Sequence, residues 1–180
     1  HHHGYVDFDC RERFFDAGVN GDALTYLTLA NRLVHDFRAG DVTMQVTNYG
    51  ARVVSLWTPD RAGDYEDIVL GYETIDRYIN NDGERFLGAV VGPYANRIAK
   101  GSFTLDGTEY NLPINNNGQT LHGGIDGLDR VVWDVVSASE DQLVMKYLHA
   151  DGQEGFPGNL QIEMTYSLTP ENEFRIDYSA

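Results

Sequence analysis

Residues 160–168 alternate without a break: Leu160, Ile162, Met164, Tyr166 and Leu168 fall on one side, and Gln161, Glu163, Thr165 and Ser167 on the other. Successive strand side chains point to opposite faces, so this period of two specifies a half-buried strand. The pattern recurs along the chain. Val42, Met44 and Val46 alternate with Thr43, Gln45 and Thr47, and Phe174, Ile176 and Tyr178 repeat it near the end. Segments 51–57, 67–70, 131–136 and 142–149 read as further strands. Between them lie Asn48-Tyr49-Gly50 and the Asn-Asn-Asn-Gly cluster at 115–118. Within 102–110 an Asp106-Gly107 pair supplies the positive φ angles of a type I′ hairpin turn. Many strands joined by tight Gly, Asn and Asp turns indicate an all-β fold, an antiparallel sandwich or barrel.

Neither a repeat of fixed period nor a linker interrupts 41–180, which reads as one domain. Residues 1–40 form an irregular lead-in that begins with an affinity-tag remnant, His1-His2-His3. It includes a short helix: Ala23, Leu27, Ala30, Val34 and Phe37 recur at spacings of three and four, between Asp22 and Gly40 as caps. Thr25 and Thr28 suit a strand as well. Tyr72, Ile75 and Ile79 mark one face of one or two helical turns.

A chain of 180 residues can bury a real core. Its net charge of −15 repels phosphates and excludes nucleic acid as an expected partner; a neutral ligand or a cation suits it better. Cys10 is the single cysteine, so neither a disulfide framework nor a cysteine metal site is expected. No apolar run reaches the ~18 residues that span a bilayer. No membrane partner is expected, and the cytoplasm is the expected compartment, with secreted or periplasmic placement left open.

Two stretches carry polar groups among residues that look buried or tightly turned. Asn96 and Arg97 interrupt an apolar run, and His122 sits between Leu121 and a glycine pair. A cation or imidazole in such a setting must find partners, which suggests one shared polar pocket. Leu121-His-Gly-Gly124 lets backbone approach a ligand closely and projects the imidazole from a turn. Arg97 offers a donor fork beside the Asn96 amide. For each, a purely structural bond is the competing reading. His35 and His149 read as packing or surface residues, and no metal is expected because His149-Ala-Asp151 lacks a further ligand at metal spacing. Asp64, Glu66 and Asp67 read as a solvated edge, and 151–158 as a plain connection from which Glu154 could approach a pocket. Trp57, Tyr94 and Trp133 could stack on sugar rings, although core packing is commoner.

Asn48-Tyr-Gly-Ala51, Gly92-Pro-Tyr-Ala-Asn-Arg-Ile-Ala-Lys-Gly101, Leu121-His-Gly-Gly124 and Asp151-Gly-Gln-Glu-Gly-Phe-Pro-Gly-Asn-Leu160 resemble, in order and spacing, motifs of the aldose 1-epimerase family in its galactose-mutarotase branch. The resemblance implies a large antiparallel β-sandwich that interconverts the anomers of free aldohexoses by acid–base ring opening, without a cofactor. It implies that Arg97 and His122 hydrogen-bond the monosaccharide and that Asn96 supports Arg97, with His122 part of the catalytic set. The family's second histidine, a sugar-binding aspartate and the glutamate base follow the strand matching 173–179. Residues 41–180 therefore correspond to a truncated, N-terminal part of that sandwich. Alone they are expected to be inactive, completed by a homodimer partner or by a missing C-terminal half. A non-catalytic carbohydrate-binding module on the same sandwich is the alternative.

Overall fold

The computed structural model describes residues 34–80 and 83–180. The tag remnant and the lead-in through residue 33 lie outside the described residues, as does most of the expected lead-in helix.

Two four-stranded antiparallel sheets form the body. The first runs β1 (Val34–Ala39), β2 (Val42–Thr47), β3 (Arg52–Pro59) and β4 (Tyr65–Asp67) in sequence order. A helix, α1 (Ile75–Asn80), follows, where the spacing of Tyr72, Ile75 and Ile79 places it. The small pairs come next: β5 (Arg97–Ile98), β6 (Ser102–Leu105), β7 (Thr108–Asn111) and β8 (Thr120–Leu121), arranged as β5–β8 and β6–β7. The second sheet holds β9 (Asp134–Ala138), β10 (Gln142–His149), β11 (Leu160–Leu168) and β12 (Phe174–Ser179), in the order β12-β11-β10-β9. The all-β antiparallel reading is what the chain adopts.

The inner faces of the two sheets supply the core. Met44 and Val46 from β2 share one cluster with Leu143 and Met145 from β10 and Ile162, Met164, Tyr166 and Leu168 from β11. The alternation of β11 is observed residue by residue: Ile162, Met164, Tyr166 and Leu168 are buried, whereas Gln161 and Glu163 are exposed. Such burial contributes roughly 25 cal/mol per Å² of apolar surface and drives the two layers together. Tyr166 also bridges them, its hydroxyl donating to the Ala51 carbonyl at 2.7 Å. Burial pushes this phenol well above its ordinary value, so it stays a neutral donor.

The sequence reading needs correction at several points. Val34 and Phe37 end the helical spacing, yet they lie in β1, paired residue by residue with β2 from Val34↔Thr47 to Ala39↔Val42. The tight turn at Gly40, with φ +56, brings β1 back onto β2, and Phe37 gains a place in the core. Residues 68–70 are not strand; Ile68 and Leu70 stay exposed. Asp67 is no solvated edge, because its Oδ1 accepts from the Leu56 and Val69 amides. The 131–136 strand begins later, at Asp134, after a lone bridge between Tyr49 and Val132. In β12, the outermost strand of its sheet among the described residues, Ile176 and Tyr178 are 42% and 61% exposed. The Asp106-Gly107 hairpin forms as expected, with φ angles of 49° and 79°.

Trp133 is wholly buried, a core residue rather than a sugar platform. His149 is 1% exposed, its ring edge-on to Phe156 and its Nε2 without a hydrogen-bond partner among the described residues. Replacing Tyr166 with Phe should cost about 1–3 kcal/mol by leaving the Ala51 carbonyl unpaired, measured as a lower urea midpoint at unchanged slope. Burial holds the His149 pKa below its ordinary 6.5. The unfolded chain then binds the proton more readily, so this group contributes nothing above pH 6.5 and destabilises as pH falls below it. Urea midpoints followed from pH 8 to about pH 5 should decline less in His149→Leu than in the native chain.

Candidate functional site

Strands β5 and β8 are two residues each, yet they bring together the groups singled out in the sequence. Their register sets Arg97 opposite Leu121, which puts Asn96 opposite His122. The last pair closes reciprocally: the His122 amide donates to the Asn96 carbonyl, and the Asn96 amide donates to His122 Nδ1, each at 3.0 Å. Both residues have positive φ, 72° and 52°, which turns the chain out of the ladder at this point. Because Nδ1 accepts, the neutral imidazole carries its proton on Nε2. Partial burial lowers the His122 pKa below 6.5; the Asp129 carboxylate opposes that shift, and the Arg97 and Arg85 charges add to it. At neutral pH His122 is therefore an uncharged donor at Nε2.

Arg97 is exposed, not buried as its apolar flanks suggest. Its Nε donates to Asn116 Oδ1 and its Nη1 to Asn96 Oδ1, both at 3.3 Å. It forms one wall of an open cleft of about 560 Å³, lined also by Pro93, Tyr94, Ile98, Ala99, Phe103 and Phe156. That volume lies within the range of small-molecule sites, ~300–1,000 Å³. Tyr94, half exposed, lines this cleft rather than packing in the core, which is the commoner role for such an aromatic.

The His122 turn is held by side chains from three segments, one nearby and two distant. Asn115 Nδ2 donates to the carbonyls of Leu121 and Gly124, and its Oδ1 accepts the Leu121 amide. Glu154 Oε2 accepts the Ile125 amide at 2.7 Å, so the connection at 151–158 reaches the site after all. Arg85 Nη2 donates to the carbonyls of Gly124 and Ile125 at 3.2 and 2.9 Å. A Cβ at Gly123 would run into the Gly92 carbonyl, and one at Gly124 into the Glu154 carboxylate, so both glycines are required by close approach.

Beneath lies the buried arginine. Arg52, 1% exposed, donates to the carbonyls of Arg85, Leu87 and Asp129, and its guanidinium covers the Tyr78 ring at 4.7 Å. Asp129, fully buried, takes a two-pronged bond from Arg85, at 2.7 Å from Nε and 2.9 Å from Nη2. Sequence reasoning missed Arg52, Arg85, Asn115 and Asp129. Arg52 carried a signal, a cation inside an apolar strand; Asp129 carried none. Among the described residues no three His, Cys, Asp or Glu side chains gather as metal ligands, and no helix is long and apolar enough to cross a membrane.

Asn115→Ala removes three bonds from one turn and should lower stability by roughly 1–3 kcal/mol. Faster hydrogen exchange at the Leu121 amide, which Asn115 accepts, is the local readout.

Residues 34–180 match the family model described as aldose 1-epimerase. Galactose mutarotase of Rattus norvegicus is 38% identical over 143 residues, covering 79% of this chain and 41% of the relative. Aldose 1-epimerase of Escherichia coli (strain K12) is 35% identical over 161 residues, covering 89% and 44%. Among solved structures, the aldose epimerase homologue from C. elegans superposes with a TM-score of 0.77 at 30% identity, over 82% of this chain and 45% of that one. Galactose 1-epimerase from Lactobacillus acidophilus gives 0.66 at 26%, over 82% and 44%. The chain thus spans less than half the length of these relatives.

Proposed function

The chain belongs to the aldose 1-epimerase family, and from that premise we propose that the protein interconverts the α and β anomers of free aldohexoses such as galactose or glucose. In this reaction a base removes the proton of the anomeric hydroxyl while an acid protonates the ring oxygen. The bond from the anomeric carbon to the ring oxygen breaks, the aldehyde rotates, and reclosure gives either anomer. No electrons leave the sugar, so the chemistry needs no redox cofactor.

The observation that carries the reading is the reciprocal bond between Asn96 and His122 beside the Arg97 cleft. It leaves a neutral Nε2–H and a guanidinium as donors to sugar oxygens, and Tyr94 and Phe103 offer faces to the ring's C–H side. Asn96 supports Arg97 through its carboxamide oxygen. His122 and Arg97 bind and orient the pyranose, and His122 adds electrostatic support as charge develops on oxygen.

Polarimetry on fresh α-D-galactose tests this on the complete gene product, since residues 41–180 alone are expected to be inactive. The native protein should equilibrate the sugar faster than buffer, and His122→Ala should lower kcat/KM by about 10²–10³-fold. Saturable sugar binding with no gain in rate would favour a carbohydrate-binding module instead.

A further inference from the structure

Arg85 is absorbed neither by the core nor by the cleft, yet it touches Asp129, Phe86 and the turn that follows His122. Its Nε and Nη2 grip the buried Asp129, and Nη2 also reaches the Gly124 and Ile125 carbonyls that follow His122 in the turn. Its guanidinium lies 4.9 Å from the centre of the Phe86 ring, and Phe86 meets the His122 imidazole edge to face at 4.6 Å. A planar, doubly anchored guanidinium is a rigid support, because its fork fixes orientation as well as distance. His122 is consequently fixed at two points: its backbone through the turn carbonyls, and its ring between Phe86 and the Asn96 amide.

We propose that Arg85 is a positioning residue for His122, acting through the Phe86 ring and through the carbonyls of Gly124 and Ile125. The proposal rests on the mutarotase reading of His122. Asp129 holds Arg85 in the orientation that serves both contacts. When this support is lost, the imidazole gains freedom to rotate away from Asn96 and to exchange the proton between its two nitrogens. The Nε2–H donor is then misaimed for part of the time. A misplacement of ~1 Å costs on the order of 10²-fold in rate.

The test separates support of the fold from support of the ring. Arg85→Met alone leaves a buried carboxylate unpaired and destabilises, so it is combined with Asp129→Leu, which removes both charges together. A second variant, Phe86→Leu, keeps every ion pair and hydrogen bond of the turn. The intact protein and each variant are compared by thermal midpoint, by mutarotation of α-D-galactose, and by ¹⁵N chemical shifts of the His122 ring. The expected result is a double variant that still folds, with a midpoint lowered no further than in Asn115→Ala, whose kcat/KM is about 10–100-fold down. Its His122 nitrogens shift from a single Nε2–H form toward an averaged pair. Phe86→Leu should show the same ring signature with a smaller loss.

Native turnover and native ring shifts in the double variant and in Phe86→Leu would overturn the proposal and leave the mutarotase reading intact, provided that His122→Ala is impaired. If the double variant does not fold, Phe86→Leu decides by the same readouts. A native protein that leaves the sugar at the buffer rate overturns the mutarotase reading and, with it, this inference.

Discussion

One buried guanidinium, that of Arg52, joins the parts that matter. It sits at the start of β3 and donates to carbonyls of Arg85, Leu87 and Asp129. Those carbonyls belong to two loops that never pair as strands, so no ladder satisfies them. A buried peptide oxygen without a donor costs free energy comparable to a lost hydrogen bond, and one cation here answers for three. Burial weakens the hold of Arg52 on its proton, with Asp129 as the chief opposing influence. The charge remains because the guanidinium is intrinsically so basic.

From that anchor the geometry builds outward. Asp129 receives Arg85, Arg85 fixes the turn that bears His122, and the turn meets Asn96 through paired amide bonds. The two sheets set the distance between the loop roots, and the side chains set the orientation. Apolar packing does the first task because it is undirected, while hydrogen bonds do the second because they are not.

The sheet was legible where the period of two is uninterrupted. The alternation of β11 predicted its buried face, and the Asp106-Gly107 pair predicted its hairpin, because both are local. Val34 and Phe37 were misread because their spacing also fits a helix, and the pairing with Thr47 and Met44 that decides the matter lies outside any local window. The pairing of Asn96-Arg97 with the Leu121-His122 turn was anticipated as one shared pocket, but Arg97 was taken for the buried cation when Arg52 is. Asp129 was invisible, since an aspartate after Gly-Leu in a glycine-rich loop looks like any turn residue until Arg85 arrives from a distant part of the chain.

The contacts that shape the His122 turn span 26 residues to Asn96, 29 to Glu154 and 39 to Arg85. Closing such loops costs entropy before any contact repays it, and the core closes longer ones still, since the Tyr166 bond to Ala51 spans 115 residues. Substitutions in the polar loops therefore act on contacts of shorter reach than those that hold the two sheets together.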